Sequence, residues 1–184
     1  MMSTVRYIPP SIAAGAANKS IICIYACAYS ATPVSGPGSS TSGTQTNHWV
    51  LFCCVNQRDS YRIDPSPSGP NLTITPIITF KGYPYTANAS KICQLDTSSL
   101  TVGSFIALLE RSTYDKYQFD AGGQGCRYWI YSVVNLLQSQ GHIQNSSQTQ
   151  AAINALGIVW GDNHQPLPTS QQTGITPGRF YALS

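Results

Sequence analysis

Residues 121–141 read AGGQGCRYWIYSVVNLLQSQG, and this stretch decides the architecture. From Cys126 onward, Trp129, Ile130, Val133, Val134, Leu136 and Leu137 recur at the three-and-four spacing of one buried helical face, and Gly141 supplies a stop. The segment before Cys126 holds Gly122, Gly123 and Gly125, too much glycine for a helix or strand to start earlier. The spacing predicts a central helix over residues 126–140, entered from a glycine-rich turn. That places a cysteine where unpaired amides and the positive end of a helix dipole favour a thiolate.

Working outward, the remaining patterns predict mostly strands upstream and helices beside the central one. Residues 21–29 form an apolar run read as a buried strand, since even the longer uncharged stretch 21–31 falls short of the ~20 residues that cross a bilayer. The Ser, Gly, Pro and Thr run over 30–46 predicts a mobile loop of the kind that covers sites. Residues 48–55 are nearly continuously apolar, turn at 56–59 and lead into 60–64, a predicted hairpin. Residues 72–80 alternate with threonines as a third strand, and Pro76 assigns it to an edge. A short helix over 102–111 follows capping candidates Thr97, Ser98, Ser99 and Thr101, and residues 117–119 suggest a short strand. Ser147 is the expected cap of a last helix bearing Ala151, Ile153, Leu156 and Val159, before a loop over 166–178 and an apolar stretch at 180–183. The fold class expected is α+β, with a small antiparallel sheet packed on a central helix in one domain spanning residues 1–184.

Composition narrows the function. The 184 residues weigh 19.8 kDa, enough to bury roughly 70% of the unfolded surface in one core. Only 9% are charged, and the ten Lys and Arg behind the net +3 are scattered singly, so no row of phosphates is matched and nucleic acid is not an expected partner. Six cysteines without a CxxC pair read as reduced thiols of a cytoplasmic protein, with adjacent Cys53 and Cys54 facing opposite sides of a strand. Sequons at Asn18, Asn71, Asn88 and Asn145 make secretion the runner-up location. Three histidines and seven acids show no metal-ligand spacing, so no metal and no cofactor are expected.

The chemistry then falls to a few side chains. Cys126 is the candidate nucleophile, with backbone amides beside it for an oxyanion, although a small residue packed at a helix start reads the same way. His48 is the natural base, because it alone of the three histidines lies in a predicted core strand. Asp64 is the candidate orienter, and it shares a sheet face with His48 only if the intervening turn is odd in length or bulged. Trp49, Arg62, Gln124, Gly125, Arg127 and Tyr128 are candidate substrate contacts: aromatics for an apolar pocket, Arg62 for a carboxylate or simply for pairing with Asp64, Gln124 as an oxyanion donor or merely a solvated turn residue.

With Asn47-His48-Trp49 on an early strand and Gly125-Cys126-Arg127-Tyr128-Trp129 opening a later helix, the chain resembles a fungal domain family of unknown function bearing the same two signatures over most of its length. The order of a strand histidine and then a helix-start cysteine is similar to circularly permuted papain-like enzymes, the lecithin retinol acyltransferase group and relatives of the NlpC peptidases. That resemblance implies a permuted papain-like fold, Cys126 as nucleophile and His48 as base toward an ester, thioester or amide. The acyltransferase group carries a second histidine on the following strand, where this chain has Ser60, Arg62 and Asp64.

The function expected is therefore a Cys-His hydrolase or acyltransferase acting on a small-molecule or peptide substrate, without a membrane span. Two other classes fit the same residues: a non-catalytic binding module with an aromatic pocket, and a biosynthetic cyclase or isomerase that moves protons with His48 and a carboxylate.

Overall fold

The computed structural model describes residues 5–7, 10–34 and 43–181, with side chains from Ala13 onward. In chain order the elements are β1 (Val5–Tyr7), α1 (Pro10–Ala16), β2 (Cys23–Pro33), β3 (Gln45–Cys54), β4 (Ser60–Ser66), β5 (Thr75–Lys81), β6 (Lys91–Asp96), α2 (Val102–Arg111), β7 (Tyr117–Gln118), α3 (Cys126–Ser139), α4 (Ser146–Leu156) and β8 (Arg179–Phe180). The main sheet runs β1-β5-β4-β3-β2-β6; β5 to β6 form five antiparallel strands, and β1 lies parallel to β5. Among the described residues no helix is long and apolar enough to cross a membrane.

From Trp49 to Cys54, β3 runs unbroken apolar because both its faces are covered there. Trp49, Leu51 and Cys53 enter the main core with Phe105 of α2, Trp129, Ile130 and Val133 of α3, and Ala152 and Leu156 of α4. Val50 and Phe52 enter a second cluster with Cys27 and Ala89 on the opposite face. α2 starts at a reciprocal cap in which the Thr101 hydroxyl accepts from the Ser104 N–H at 3.1 Å and the Ser104 hydroxyl accepts from the Thr101 N–H at 2.8 Å.

The start of α3 is held by one phenol. Tyr117 is fully buried; its hydroxyl donates to the Gly125 carbonyl at 3.0 Å and accepts from the Gly178 N–H at 2.7 Å. Gly125 has φ 139°, and a Cβ there would lie 2.7 Å from the same hydroxyl oxygen, so only glycine fits. A Cβ on Gly178 would also strike the Tyr117 ring. The phenol thus fixes the turn before Cys126 and the C-terminal segment to each other.

The α+β class and the central helix stand as read, with several local differences. β2 continues to Pro33 and β3 begins at Gln45, because Thr32 pairs with Thr46 and Pro33 with Gln45; of the expected loop over 30–46, residues 35–42 lie outside those described. β5 is not the edge, since β1 pairs outside it, and Pro76 instead faces Pro65 across β4–β5, where neither residue has an amide to donate. Asn145, not Ser147, caps α4, its side chain accepting from the Ser147 and Gln148 amides. α1 and β6 were not anticipated: α1 is short and rich in small residues, and β6 mixes charged ends with two buried positions, Cys93 and Leu95. The terminal apolar stretch contributes only Phe180 to β8, and residues 182–184 lie outside those described.

Removing the Tyr117 hydroxyl strips partners from two backbone groups near the site. Tyr117→Phe is expected to lower unfolding free energy by about 1–3 kcal/mol, read as a lower urea midpoint at unchanged slope.

Candidate active site

The site forms where β4 leaves β3. Backbone groups alternate along β3: the Cys54 carbonyl accepts from Ile22 on the β2 side at 2.8 Å, and the Val55 N–H donates to Asp59 on the β4 side at 3.0 Å. Odd-numbered residues of β3 therefore present their peptide groups toward β4. The β3–β4 pairing ends at Leu51 opposite Ile63, while β4 continues alone with β5 through Ser66. Beyond Leu51, the groups of Trp49, Asn47 and Gln45 need other partners. Gln45 receives the backbone N–H and the hydroxyl of Thr173, at 3.1 and 2.9 Å. The Asn47 carbonyl and the Trp49 N–H receive the sulfur of Cys126, which lies 3.7 Å from Asn47 O and accepts from Trp49 N–H. The helix start thus seats its thiol in a vacated ladder position, directly astride His48.

The opposite edge of β3 carries a β-bulge. Ala28 pairs with Trp49 and Ala31 with Asn47, so Tyr29 and Ser30 together oppose His48 alone. The bulge frees the Tyr29 carbonyl, which accepts from the Asn47 side-chain amide at 2.8 Å. That amide also donates to Trp160 O at 2.9 Å, and its oxygen accepts from Trp160 N–H at 2.7 Å. Tyr29 itself lies parallel to the His48 ring, with centroids 6.2 Å apart and 8° between planes.

His48 is oriented from behind. Its Nε2 bonds Asp64 Oδ1 at 2.8 Å, which leaves Nδ1 for the Cys126 thiol. The two share a face because Cys54 pairs with Ser60, so the turn over 55–59 is odd in length. Arg62 lies 3.4 Å from the other Asp64 oxygen and donates to the Tyr29 hydroxyl at 3.3 Å. One guanidinium therefore ties together the two groups that hold the imidazole.

The electrostatics follow from these contacts. Partial burial pulls the His48 pKa down, but hydrogen bonds to Asp64 and to Cys126, with the charges of both, outweigh it and push it up to about 10. Burial raises the Cys126 thiol, yet hydrogen bonding and charge from His48, the Trp49 N–H and the Arg127 guanidinium overcome it, and the net direction is down. Both shifts favour a thiolate–imidazolium pair. As a residue Cys126 is half-buried, whereas the other five cysteines are buried.

A cavity of about 270 Å³ opens over this pair, lined by Thr32, Val34, Thr46, Gln124 and Thr176 besides the dyad. Gln124 is presented by a tight turn in which the Asp120 carboxylate accepts from the Gly122 and Gln124 amides at 3.0 and 2.6 Å. Of the expected contacts, Gln124, Gly125 and Arg127 border this cavity, and Trp49, Arg62 and Tyr128 do not. Trp49 is fully buried in the core, and Tyr128 packs against Tyr131 and Phe180. Arg62 serves Asp64 and Tyr29 rather than a substrate carboxylate. The Arg127 guanidinium is only a wall, because it donates to Leu156 O, Thr173 O, the Thr173 hydroxyl and Gly174 O at 2.6–3.3 Å. Asn47, Tyr29 and Thr173 also hold the site, and the sequence assigns none of them a role there; only Asn47 is marked, as the first residue of the Asn47-His48-Trp49 signature.

A family model described as Domain of unknown function (DUF7770) matches residues 24–181. No curated protein and no solved structure matches the chain.

Two outcomes are expected of this geometry. Asn47→Ala leaves three buried backbone groups without partners and is expected to cost about 3 kcal/mol, measured by urea unfolding. The pH profile of Cys126 alkylation carries a sign: a lowered thiol pKa keeps thiolate present below the ordinary range near 9, and a raised His48 pKa keeps the imidazolium up to about 10. Iodoacetamide labelling read by peptide mass is thus expected to level off below pH 9 in the wild type and to shift upward in His48→Ala.

Proposed function

We propose that this chain, which belongs to the DUF7770 family, is a cysteine-dependent acyl hydrolase or acyltransferase acting on an ester, thioester or amide. One observation carries the reading: the Cys126 thiol contacts an imidazole that is itself held by a carboxylate at 2.8 Å, at the floor of an open cavity. That geometry supports reading Cys126 as nucleophile, His48 as its base and Asp64 as the orienter.

In the first half-reaction the Cys126 thiolate attacks the acyl carbon, and the carbonyl π pair moves to oxygen. The Cys126 N–H, free at the first turn of α3, and the Gln124 amide supply donors for that oxyanion. When the tetrahedral species collapses, the bond to the leaving group breaks and His48 gives that group its proton. In the second half, His48 takes a proton from water or another acceptor as it attacks the thioester, and the Cys126 thiolate leaves. Asp64 keeps the ring oriented throughout and stabilises its charged form. At about 270 Å³ the cavity suits a compact acyl group rather than a long chain.

The other two classes draw less support from the same residues. Apart from His48, no aromatic side chain lines the cavity among the described residues, which leaves the aromatic binding module without its pocket. Asp64 lies behind His48 and outside the lining, where it orients the ring rather than meeting a substrate in a cyclase or isomerase.

The test is turnover of p-nitrophenyl acetate and short acyl thioesters, with the intact protein weighed after a rapid acid quench. An acetyl adduct on Cys126, absent from Cys126→Ala, and a fall of about 10²–10⁴-fold in His48→Ala are expected. Undiminished turnover in Cys126→Ala, or no adduct with any acyl donor, would overturn the proposal.

A further inference from the structure

Cys23 and Cys54 lie far from Cys126, at the other end of β2 and β3. Cys54 is six positions from His48 along β3, about 20 Å at the strand rise. The two cysteines are direct cross-strand partners, Cys23 opposite Cys54. Antiparallel partners stand ~4.5–5.5 Å apart at Cα. That falls within the ~4.4–6.8 Å of disulfide-bonded cysteines, the separation a bridge requires. Their side chains share a face and meet, the thiols hydrogen-bonding to each other, and Cys54 Sγ also lies 3.1 Å from Pro84 O.

No other two cysteines are strand partners. Cys53 faces Ile24 and Tyr61 on the opposite side of the sheet, Cys27 faces Val50 and Ile92, and Cys93 faces Ala26. Cys23 retains 8% of its surface at the protein exterior and Cys54 1%, so a small oxidant meets Cys23 first.

We propose that Cys23 and Cys54 form an oxidation site, converted by a hydroperoxide to a reversible cross-strand disulfide. The Cys54 thiol, hydrogen-bonded to Cys23, holds the Cys23 pKa down to about 7 against burial, with the Tyr25 hydroxyl adding to the effect. Cys23 is accordingly the attacking sulfur at neutral pH and Cys54 the resolving one. The Cys23 thiolate takes the terminal peroxide oxygen with its hydrogen; an S–O bond forms, the O–O bond breaks, and the alkoxide or hydroxide leaves and takes up from solvent the one proton that Cys23 gave up on ionising, giving Cys23–SOH. Cys54 then attacks that sulfur, the S–S bond forms, the S–O bond breaks, and hydroxide leaves with the Cys54 proton as water. Two thiols and one hydroperoxide thus yield one disulfide, one alcohol or water from the peroxide, and one further water.

The full chain is treated at pH 7 with one equivalent of hydrogen peroxide, quenched with iodoacetamide and digested with chymotrypsin without reduction. Cleavage after Tyr25, Tyr29 and Phe52 separates Cys23, Cys27 and the Cys53–Cys54 pair into different peptides. The expected product is a Cys23 peptide joined to the Cys54 peptide, lighter by two hydrogen atoms than the two thiols and released by dithiothreitol. Cys53→Ser and Cys126→Ser are expected to keep the bridge. Cys54→Ser is expected to lose it and to leave a sulfenic acid on Cys23 that dimedone captures. Absence of the bridge in wild-type protein that stays folded by circular dichroism would overturn the proposal, as would its persistence in Cys54→Ser through Cys53. If Cys54→Ser does not fold, loss of the bridge in Cys53→Ser serves as the same negative result.

Discussion

A buried peptide edge must be paired, and this site is built on how β3 meets that demand after β4 departs. Four successive β4-facing positions of β3 take three kinds of partner: the strand residue Ile63 at Leu51, the Cys126 sulfur across Trp49 and Asn47, and the Thr173 backbone at Gln45. The Cys126 thiol is therefore part of the sheet's hydrogen bonding and not a side chain resting on it. Its neighbour Arg127 extends the arrangement by bonding Thr173 and Gly174, so helix, strand and C-terminal segment close around one point.

The histidine is placed by the complementary irregularity on the other edge. Two residues of β2 oppose one of β3, and Asn47 satisfies the carbonyl that this miscount strands. With Tyr29 beside the ring and Asp64 behind it, and Arg62 joining those two, the imidazole is held on several sides while 39% of its side chain stays open to solvent. A fixed imidazole against a seated sulfur, with Asp64 and Arg127 beside them, is what favours the charged pair.

The local signals were the legible ones. The helix from Cys126 and its glycine turn follow from spacing alone, and His48 stood out as the only histidine in a core strand. Asp64 depended on a count that the sequence leaves ambiguous: taking residues 56–59 as the turn makes it even and turns Asp64 away, whereas pairing of Cys54 with Ser60 makes it odd. Trp49 and Tyr128 looked like pocket residues because they flank the motif residues, yet alternation on a strand and rotation on a helix carry adjacent side chains to different places. The bulge, the Arg127 anchor and the roles of Tyr29 and Thr173 arise from contacts between distant segments, for which no local pattern exists.

The cavity's rim is chemically separate from the frame beneath it. Thr32, Val34, Thr46 and Thr176 border the opening, while the bonds that locate Cys126 and His48 come from Asn47, Trp49, Asp64 and the bulge. Exchanging a side chain at the mouth therefore breaks none of the bonds that hold Cys126 against His48.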